Sequence, residues 1–162
     1  MAEQIKIQSQ FYIARNFSEC YSCSANIPVI AIAAENFTVF DGSKNNFINN
    51  DLTFFYMATS IGDEISNVIK SNFDYYKPFF SNTVKKEYWA NHCLYCGQGQ
   101  GDFYLHSEPG GAFFPTEISE FKSIELIQIQ LKSDVLVDAE YSMGKYSEPI
   151  LKFARIIPLN II

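Results

Sequence analysis

The sequence predicts an α+β domain in which a mostly antiparallel sheet is accompanied by one or two helices. Three observations lead to this prediction. Short apolar stretches with the pattern of strands recur along the 162 residues, one stretch has the period of an amphipathic helix, and cysteines stand in pairs at two expected turns. With 48% hydrophobic residues, the length suits one domain, residues 1–162, with a substantial core.

The first elements predict a hairpin. Ile5, Ile7, Phe11 and Ile13 alternate with mostly polar neighbours, which predicts a strand that runs into the first cysteine pair. The continuous apolar run over residues 28–34 predicts a strand leading away from that pair. The two strands therefore place the first pair at the tip of a hairpin.

Three further segments follow the hairpin. Residues 37–40 either extend the second strand or begin another, while residues 41–50 have the Gly, Ser and Asn content of a loop. Residues 52–57 are almost entirely apolar and predict a buried strand.

The clearest helix is predicted over residues 61–76. Ser60 is a candidate N-cap, and Pro78 is expected to end the helix. The apolar residues of this segment share one helical face: Ile61, Ile65, Val68, Ile69, Phe73 and Tyr76.

The second half predicts another hairpin, a strand and a short helix. Residues 84–91 lead as a strand to the second cysteine pair, and residues 103–105 lead away from it after the pair. Residues 124–131 mix both periods, but their β-branched content favours a strand. Residues 134–139 are short and apolar, and residues 147–155 predict a second helix with a proline in its first turn.

The chain has four cysteines, arranged as two Cys-x-x-Cys pairs: Cys20 with Cys23, and Cys93 with Cys96. Two intervening residues let one tight turn direct both sulfurs at one ion, and two such turns complete a four-thiolate shell. The pattern predicts a structural Zn²⁺ site. A closed shell of this kind leaves no coordination position for a substrate.

The 69 residues from 24 to 92 separate the two pairs, so folding of the whole domain must bring them together. Closing a loop of this length costs roughly 4 kcal/mol, whereas structural zinc binding contributes on the order of 10 kcal/mol. Gly97 directly follows the second pair, where a turn around a metal often needs a positive φ. Ser24 stands at the matching position after the first pair, where a small residue can adopt the same turn.

This pattern resembles zinc-ribbon proteins, in which one Cys-x-x-Cys turn faces a second turn of the form Cys-x-x-Cys-Gly. The likeness covers residues 20–30 and 89–105. The chain also resembles bacterial proteins of unassigned activity that carry Trp-x-Asn-x-Cys-x-x-Cys, here residues 89–96, followed by Gln-Gly-Asp-Phe, here residues 100–103. The resemblance implies a zinc-ribbon-like double-knuckle site and no particular activity.

The net charge and the chain start limit the functional classes. Eighteen acidic and twelve basic residues give a formal charge of −6, which argues against binding a phosphate backbone. The start of the sequence lacks the basic and apolar pattern of a signal peptide, and no apolar run is long enough to span a bilayer. We therefore expect a cytoplasmic protein, in which paired thiols favour metal over disulfides.

Other polar residues near the second pair are weaker candidates for chemistry. His92 and His106 can in principle replace a thiolate or support one, although four cysteines already complete the site. Asp102, His106 and Glu108 can form an acid-base cluster, but no nucleophile accompanies them and a solvated hairpin is the simpler interpretation. The glycine-rich residues 97–101 lack the Lys-Ser/Thr of a phosphate loop and favour a flexible hairpin segment.

Three aromatic residues near the second pair allow two interpretations. Tyr88, Trp89 and Tyr95 can cover the metal and its thiolates, or they can present an aromatic surface to a protein partner.

Three functional hypotheses remain open from the sequence. The favoured one is a non-catalytic, zinc-stabilised protein-binding module, such as an inhibitor, an immunity-type protein or an adaptor, with no catalytic residue. The second is a thiol redox protein that uses its Cys-x-x-Cys pairs. The third is a zinc-ribbon nucleic-acid-binding protein, against which the acidic charge argues. A hydrolase with a further site is also compatible with the sequence.

Overall fold

The structure is a computed structural model and describes residues 3–40, 47–142 and 147–159. Within these ranges the chain forms an α+β fold with a mostly antiparallel sheet, which confirms the predicted fold class. The strands are β1 (Glu3–Ile7), β2 (Gln10–Glu19), β3 (Asn26–Ala34), β4 (Phe37–Phe40), β5 (Phe47–Asn49), β6 (Thr53–Ser60), β7 (Tyr76–Ser81), β8 (Lys86–Asn91), β9 (Glu125–Gln130), β10 (Val135–Tyr141) and β11 (Arg155–Pro158). The helices are α1 (Asp63–Asn72), α2 (Asp102–His106), α3 (Ile118–Ser123) and α4 (Ser147–Phe153).

Nine strands form one sheet in the order β11-β9-β2-β3-β6-β10-β1-β4-β5, and β7 pairs with β8 in a separate two-stranded sheet. Every pairing between these strands is antiparallel except that of β11 with β9. Only Gln8 and Ser9 separate β1 from β2 in the chain, yet β3, β6 and β10 lie between them in the sheet. The sheet must therefore curl, so that its two parts meet at this bend.

The large sheet buries a hydrophobic cluster on each of its faces. One cluster contains buried side chains from one face of the sheet, together with Ile65 and Ile69 of α1. The other contains Leu105 of α2, Phe121 of α3 and Ile150 of α4. Strand β3 contributes to both, because alternate side chains of a strand point to opposite faces. This accounts for its continuous apolar run.

The metal-ligand candidates lie at the edge of the second cluster, which includes Cys20 and Cys93. Cys20 follows the end of β2, and Cys93 follows the end of β8. The core thus fixes the first cysteine of each pair, and the second cysteine of each pair reaches the surface.

The structure corrects the predicted first strand. Residues 5–13 do not form one strand, because Ser9 takes a positive φ of 68° and the chain bends between β1 and β2. The four alternating residues still face one cluster, since the alternation continues through the bend. Residues 37–40 form the separate strand β4, and residues 47–49 of the predicted loop form β5. The rest of that loop, residues 41–46, lies outside the described residues.

The predicted helix over residues 61–76 is shorter in the structure. Ser60 is the last residue of β6 and does not cap the helix; the N-cap of α1 is Gly62, with no side-chain hydrogen bond. Pro78 does not end the helix, since α1 stops at Asn72 and Pro78 lies in β7 opposite Trp89. Phe73 and Tyr76 remain in the same cluster as the helix, which explains why their apolar spacing resembled a helical face.

The second predicted hairpin is also corrected. Residues 103–105 are not a strand but belong to α2, and the pairing after the second cysteine pair shrinks to one bridge between His92 and Gly99. The strand predicted over residues 124–131 is confirmed as β9, and the C-terminal helix is confirmed as α4. The short apolar stretch over residues 134–139 lies in the strand β10. In the described part of the chain, no helix has the length and apolar character that crossing a bilayer requires.

Candidate metal centre

Two turns with matching geometry present the cysteines, and we call residues 20–25 the first knuckle and residues 93–98 the second knuckle. In the first, the Cys20 N–H donates to the Ala25 carbonyl at 2.8 Å, and the Ser24 N–H donates to the Cys20 carbonyl at 2.9 Å. In the second, the Cys93 N–H donates to the Gln98 carbonyl and the Gly97 N–H donates to the Cys93 carbonyl, both at 3.0 Å. The two knuckles are therefore repeats of one local structure.

The residue after the second cysteine of each knuckle adopts a left-handed conformation, as the sequence predicts. Its φ is 64° at Ser24 and 76° at Gly97. This conformation is cheap for glycine and costs a residue with a Cβ roughly 1 kcal/mol or more. Ser24 adopts this conformation despite its energetic cost, because the turn leads the chain back into β3.

The four sulfurs converge on one point. Cys20 Sγ lies 3.7 Å from Cys96 Sγ, Cys23 Sγ lies 3.7 Å from Cys93 Sγ, and all four atoms lie within 4.8 Å of one another. A disulfide needs about 2.05 Å, so these contacts are not bridges and the cysteines are free thiols. Four sulfurs held about 2.3 Å from a central Zn²⁺ stand about 3.8 Å apart at the corners of a tetrahedron. The observed spacing fits a metal ion at the centre.

Backbone N–H groups surround the buried sulfur of each knuckle. The N–H groups of Tyr95 and Cys96 donate to Cys93 Sγ at 3.3 and 3.4 Å. The N–H groups of Ser22 and Cys23 donate to Cys20 at the equivalent positions. Donors aimed at a sulfur stabilise its thiolate, which is the form that binds a metal.

The cluster alone cannot hold four negative charges. The hydrogen bond from Cys23 N–H contributes most to lowering the pKa of Cys20, which falls to about 6, and the bond from Cys96 N–H likewise lowers the pKa of Cys93. The Ala25 N–H lowers the pKa of Cys23, but loss of solvation and the neighbouring thiols outweigh it and raise that pKa to about 11. A divalent cation removes this conflict, because it neutralises the thiolates it gathers.

Gln100 joins the two knuckles, a role that the sequence does not indicate. Its side chain is 6% exposed, and its Nε2 donates to Cys20 Sγ at 3.4 Å and to the Gln98 carbonyl at 2.8 Å. Its Oε1 accepts from the Tyr21 N–H at 3.3 Å. One amide therefore contacts a ligand sulfur and the backbone of both knuckles. Its place in the Gln-Gly-Asp-Phe motif and its position close behind a cysteine pair are the local signals, and neither shows that it supports the metal centre.

Asn91 holds the second knuckle against the first hairpin. Its Oδ1 accepts from the Ile30 N–H at 2.8 Å and its Nδ2 donates to the Ile30 carbonyl at 2.9 Å. This fully buried amide thus acts as a short piece of strand beside β3. Asn91 and Gln100 belong to the two short motifs quoted above, and the structure gives both motifs a structural role in positioning the cysteines.

Asp102 of the same motifs is buried, not solvated. It is 2% exposed, its Oδ2 accepts from the Met57 N–H at 2.7 Å, and its Oδ1 has no hydrogen-bond partner among the described residues. Met57 has a positive φ of 50° where the pairing of β6 with β10 shifts register, which removes its N–H from the ladder. Burial raises the pKa of Asp102 to about 7, and Tyr76 and Tyr88 face the same carboxyl group.

His106 is buried on the same helix. Its ring lies between those of Tyr56 and Phe113, with centroids 5.2 and 5.1 Å away, and burial lowers its pKa to about 3. Glu108 is exposed after the helix. The solvated hairpin expected for these residues is therefore wrong, because Asp102 and His106 point into the protein from α2.

His92 and the glycine-rich segment also have structural surroundings. The His92 ring packs edge-on against Phe79, and its Nδ1 lies 3.0 Å from the Ala90 carbonyl. The four-cysteine cluster found among the described residues includes neither histidine. In the segment over residues 97–101, Gly97 closes the second knuckle, Gly99 pairs with His92, and Gly101 is the N-cap of α2.

The three aromatic candidates for partner binding lie in different environments. Tyr88 is buried, and Trp89 is half-buried against the first cluster, with its ring 5.9 Å from that of Tyr76. Tyr95 is 74% exposed at the tip of the second knuckle. Tyr21 is 65% exposed at the tip of the first knuckle, and Leu94 is exposed beside Tyr95. The exposed apolar surface at the metal centre therefore comes from the knuckle tips.

Among the described residues, the centre can hold a metal through four sulfurs. Comparison with known protein families, with curated proteins and with solved structures found no match for this chain.

Proposed function

We propose that the chain is a non-catalytic protein-binding module in which Zn²⁺ fixes the two knuckles, so that their exposed tips contact a protein partner. The observation that carries the proposal is the spacing of the four sulfurs, with two cross-knuckle distances of 3.7 Å. All-sulfur tetrahedral sites in proteins take zinc or iron. Zinc is the proposed metal because a closed four-cysteine shell between two turns is its usual structural site.

The surface around the centre supports the binding role. Large side chains with apolar surface are exposed on the two knuckles, namely those of Tyr21, Leu94 and Tyr95. Aromatic residues that stay exposed next to a rigid site are typical of protein interfaces. An inhibitor, an immunity-type protein or an adaptor would use the module in this way.

The test combines metal removal with partner capture. Zinc-loaded wild type, a Tyr95→Ala variant and a Leu136→Ala control are used as baits in native lysate; Leu136 is exposed on β10, away from the knuckles. We expect wild type and the control to retain the same partner. The Tyr95→Ala variant should bind that partner more weakly, and binding should be lost when a chelator removes the metal. Purified protein that lacks metal and whose thiols cycle with a disulfide substrate would instead identify a redox protein. A partner retained equally after chelation would also contradict the proposal.

A further inference from the structure

A groove of about 410 Å³ lies beside the metal centre. Its walls come from the first knuckle, the second knuckle, α2 and the end of β7 with the turn that follows. This volume lies within the range of about 300–1,000 Å³ that is usual for ligand clefts. Its lining residues are Tyr21, Phe79, Phe80, Ser81, Asn82, Thr83, Gln98, Gly99, Gly101 and Tyr104.

The groove depends on the metal centre. Tyr21 belongs to the first knuckle, Gln98 to the second, and Tyr104 to the helix that begins shortly after it. The wall at Tyr21 comes from a segment far in the chain from the other walls, and the four sulfurs are where the two knuckles meet. Removing the metal is therefore expected to separate the walls.

The chemistry of the lining is neutral. Four side chains are aromatic and four are uncharged amides or hydroxyls, and no lining residue carries a charge. The chain has a net charge of −6, yet this surface presents neither carboxylates for a basic peptide nor lysines and arginines for a phosphate backbone. A charged occupant would lose solvation without gaining a counter-charge. The lining therefore favours an occupant that is uncharged where it lies in the groove.

The groove has free space beside Gly101, one of its lining residues. Gly101 has an ordinary extended backbone, with φ −70° and ψ 137°, and a Cβ built there meets no atom within 4 Å. Gly99, in contrast, has no room for a side chain, because a Cβ there would lie 2.5 Å from the Phe79 ring. A larger residue at position 101 can thus fill the groove without straining the backbone.

From these observations we infer that the groove binds an uncharged, proline-containing extended segment of the partner protein. Aromatic-walled grooves bind such segments because prolyl rings pack on the aromatic faces and the pre-extended chain loses little entropy. The amide groups of Asn82 and Gln98 supply donors for the carbonyls of the segment. The inference rests on the proposed function and specifies the chemistry of the partner.

The probes are three pools of end-capped peptides built on a Pro-x-x-Pro frame, with the variable positions uncharged, lysine-containing or glutamate-containing. Binding is followed through the backbone amide NMR signals of zinc-loaded protein. We expect the uncharged pool to shift the signals of Gln98, Gly99 and Gly101, and each charged pool to bind more weakly. Tyr104→Ala should weaken binding about tenfold. Chelation should abolish it.

Two leucine variants separate a blocked groove from a damaged fold. Gly101→Leu should prevent binding while metal content stays at wild-type level, and Ser107→Leu, an exposed position at the other end of α2, should bind as wild type does. The inference is overturned if no pool shifts the groove signals, if a charged pool binds as tightly as the uncharged one, or if Gly101→Leu binds normally. If none binds while partner capture still depends on Tyr95, the proposed function stands and only the groove inference fails. If the protein retains no metal, the proposed function itself fails before any peptide is added.

Discussion

The side chain of Gln100 donates a hydrogen bond from Nε2 to the sulfur of Cys20 at 3.4 Å, across the boundary between the two knuckles. The same Nε2 donates to the Gln98 carbonyl, and Oε1 accepts from the Tyr21 N–H. Groups that hydrogen-bond a metal ligand in this way orient it and contribute to metal affinity. The polar residue behind the second cysteine pair is therefore part of the metal centre.

Gln100→Ala is expected to lower zinc affinity by about 10- to 100-fold, since Cys20 loses a donor and the knuckles lose their shared amide. Competition with a chromophoric chelator measures the change. Gln98→Ala serves as the control, because the second knuckle uses only the backbone carbonyl of that residue. Equal zinc affinities for both variants would show that the Gln100 side chain does not support the metal site.

Ser24→Gly is expected to stabilise the zinc-loaded protein by about 1 kcal/mol, because glycine adopts the φ of 64° found there without steric cost. Ser22 lies in the same knuckle and has no positive φ, so Ser22→Gly should be neutral or destabilising. Chemical denaturation at saturating zinc compares the two. A gain from Ser22→Gly equal to that from Ser24→Gly would show that left-handed strain is not the cause.

Asn91→Ala is expected to lower the free energy of unfolding by about 3 kcal/mol. The substitution leaves the N–H and the carbonyl of Ile30 buried without partners, and each such group costs about 1–3 kcal/mol. Urea denaturation measures the loss. Asn72→Ala removes an exposed amide that bonds only the Val68 carbonyl of its own helix and should cost far less. A similar cost for both variants would contradict the structural role given to Asn91.

The contributions of Asp102 and His106 to stability are expected to change in opposite directions with pH. Burial raises the pKa of Asp102 from 3.8 to about 7, so the stability it contributes is complete below about pH 4 and is lost as pH rises toward 7. Burial lowers the pKa of His106 from 6.5 to about 3, so its contribution is complete above about pH 6.5 and is lost as pH falls toward 3. Between pH 4 and 6.5 the two slopes cancel in part.

Single variants separate these slopes. Asp102→Asn keeps an acceptor for the Met57 N–H, and its free energy of unfolding should rise more steeply with pH over this range than that of wild type. His106→Phe places an apolar ring between Tyr56 and Phe113, and its stability should fall with pH. Thermal unfolding across the range, at fixed zinc, measures both. Parallel pH profiles for the two variants would contradict the assignment.

Residues near each other in the chain made much of this structure predictable. The alternation at Ile5, Ile7, Phe11 and Ile13 predicted a buried strand face, and the cysteine spacing predicted both knuckles and the left-handed turn at Gly97. These features depend on local sequence, and the structure agrees with them. The apolar spacing of Phe73 and Tyr76 led to an overlong helix, because burial in a shared cluster gives the same pattern whether or not the helix continues.

Apart from the convergence of the two cysteine pairs, contacts between distant segments could not be predicted. Asn91 reaches Ile30, Gln100 reaches Cys20, and Asp102 reaches Met57, and each pair is separated by 45 residues or more. Nothing in the sequence around either partner indicates the other. The same limit applies to α2, where the sequence predicts a strand over residues 103–105. The helix is held by a hydrogen bond from the Met57 N–H in β6 to Asp102, and the residues around α2 do not indicate that distant contact.

The most direct measurement is the X-ray absorption spectrum of the protein purified under native conditions, combined with its mass under non-denaturing ionisation. We expect one Zn²⁺ ion per chain, surrounded by four sulfurs at about 2.3 Å. A chain that carries no metal, or one whose cysteines are joined in disulfides, would contradict this expectation.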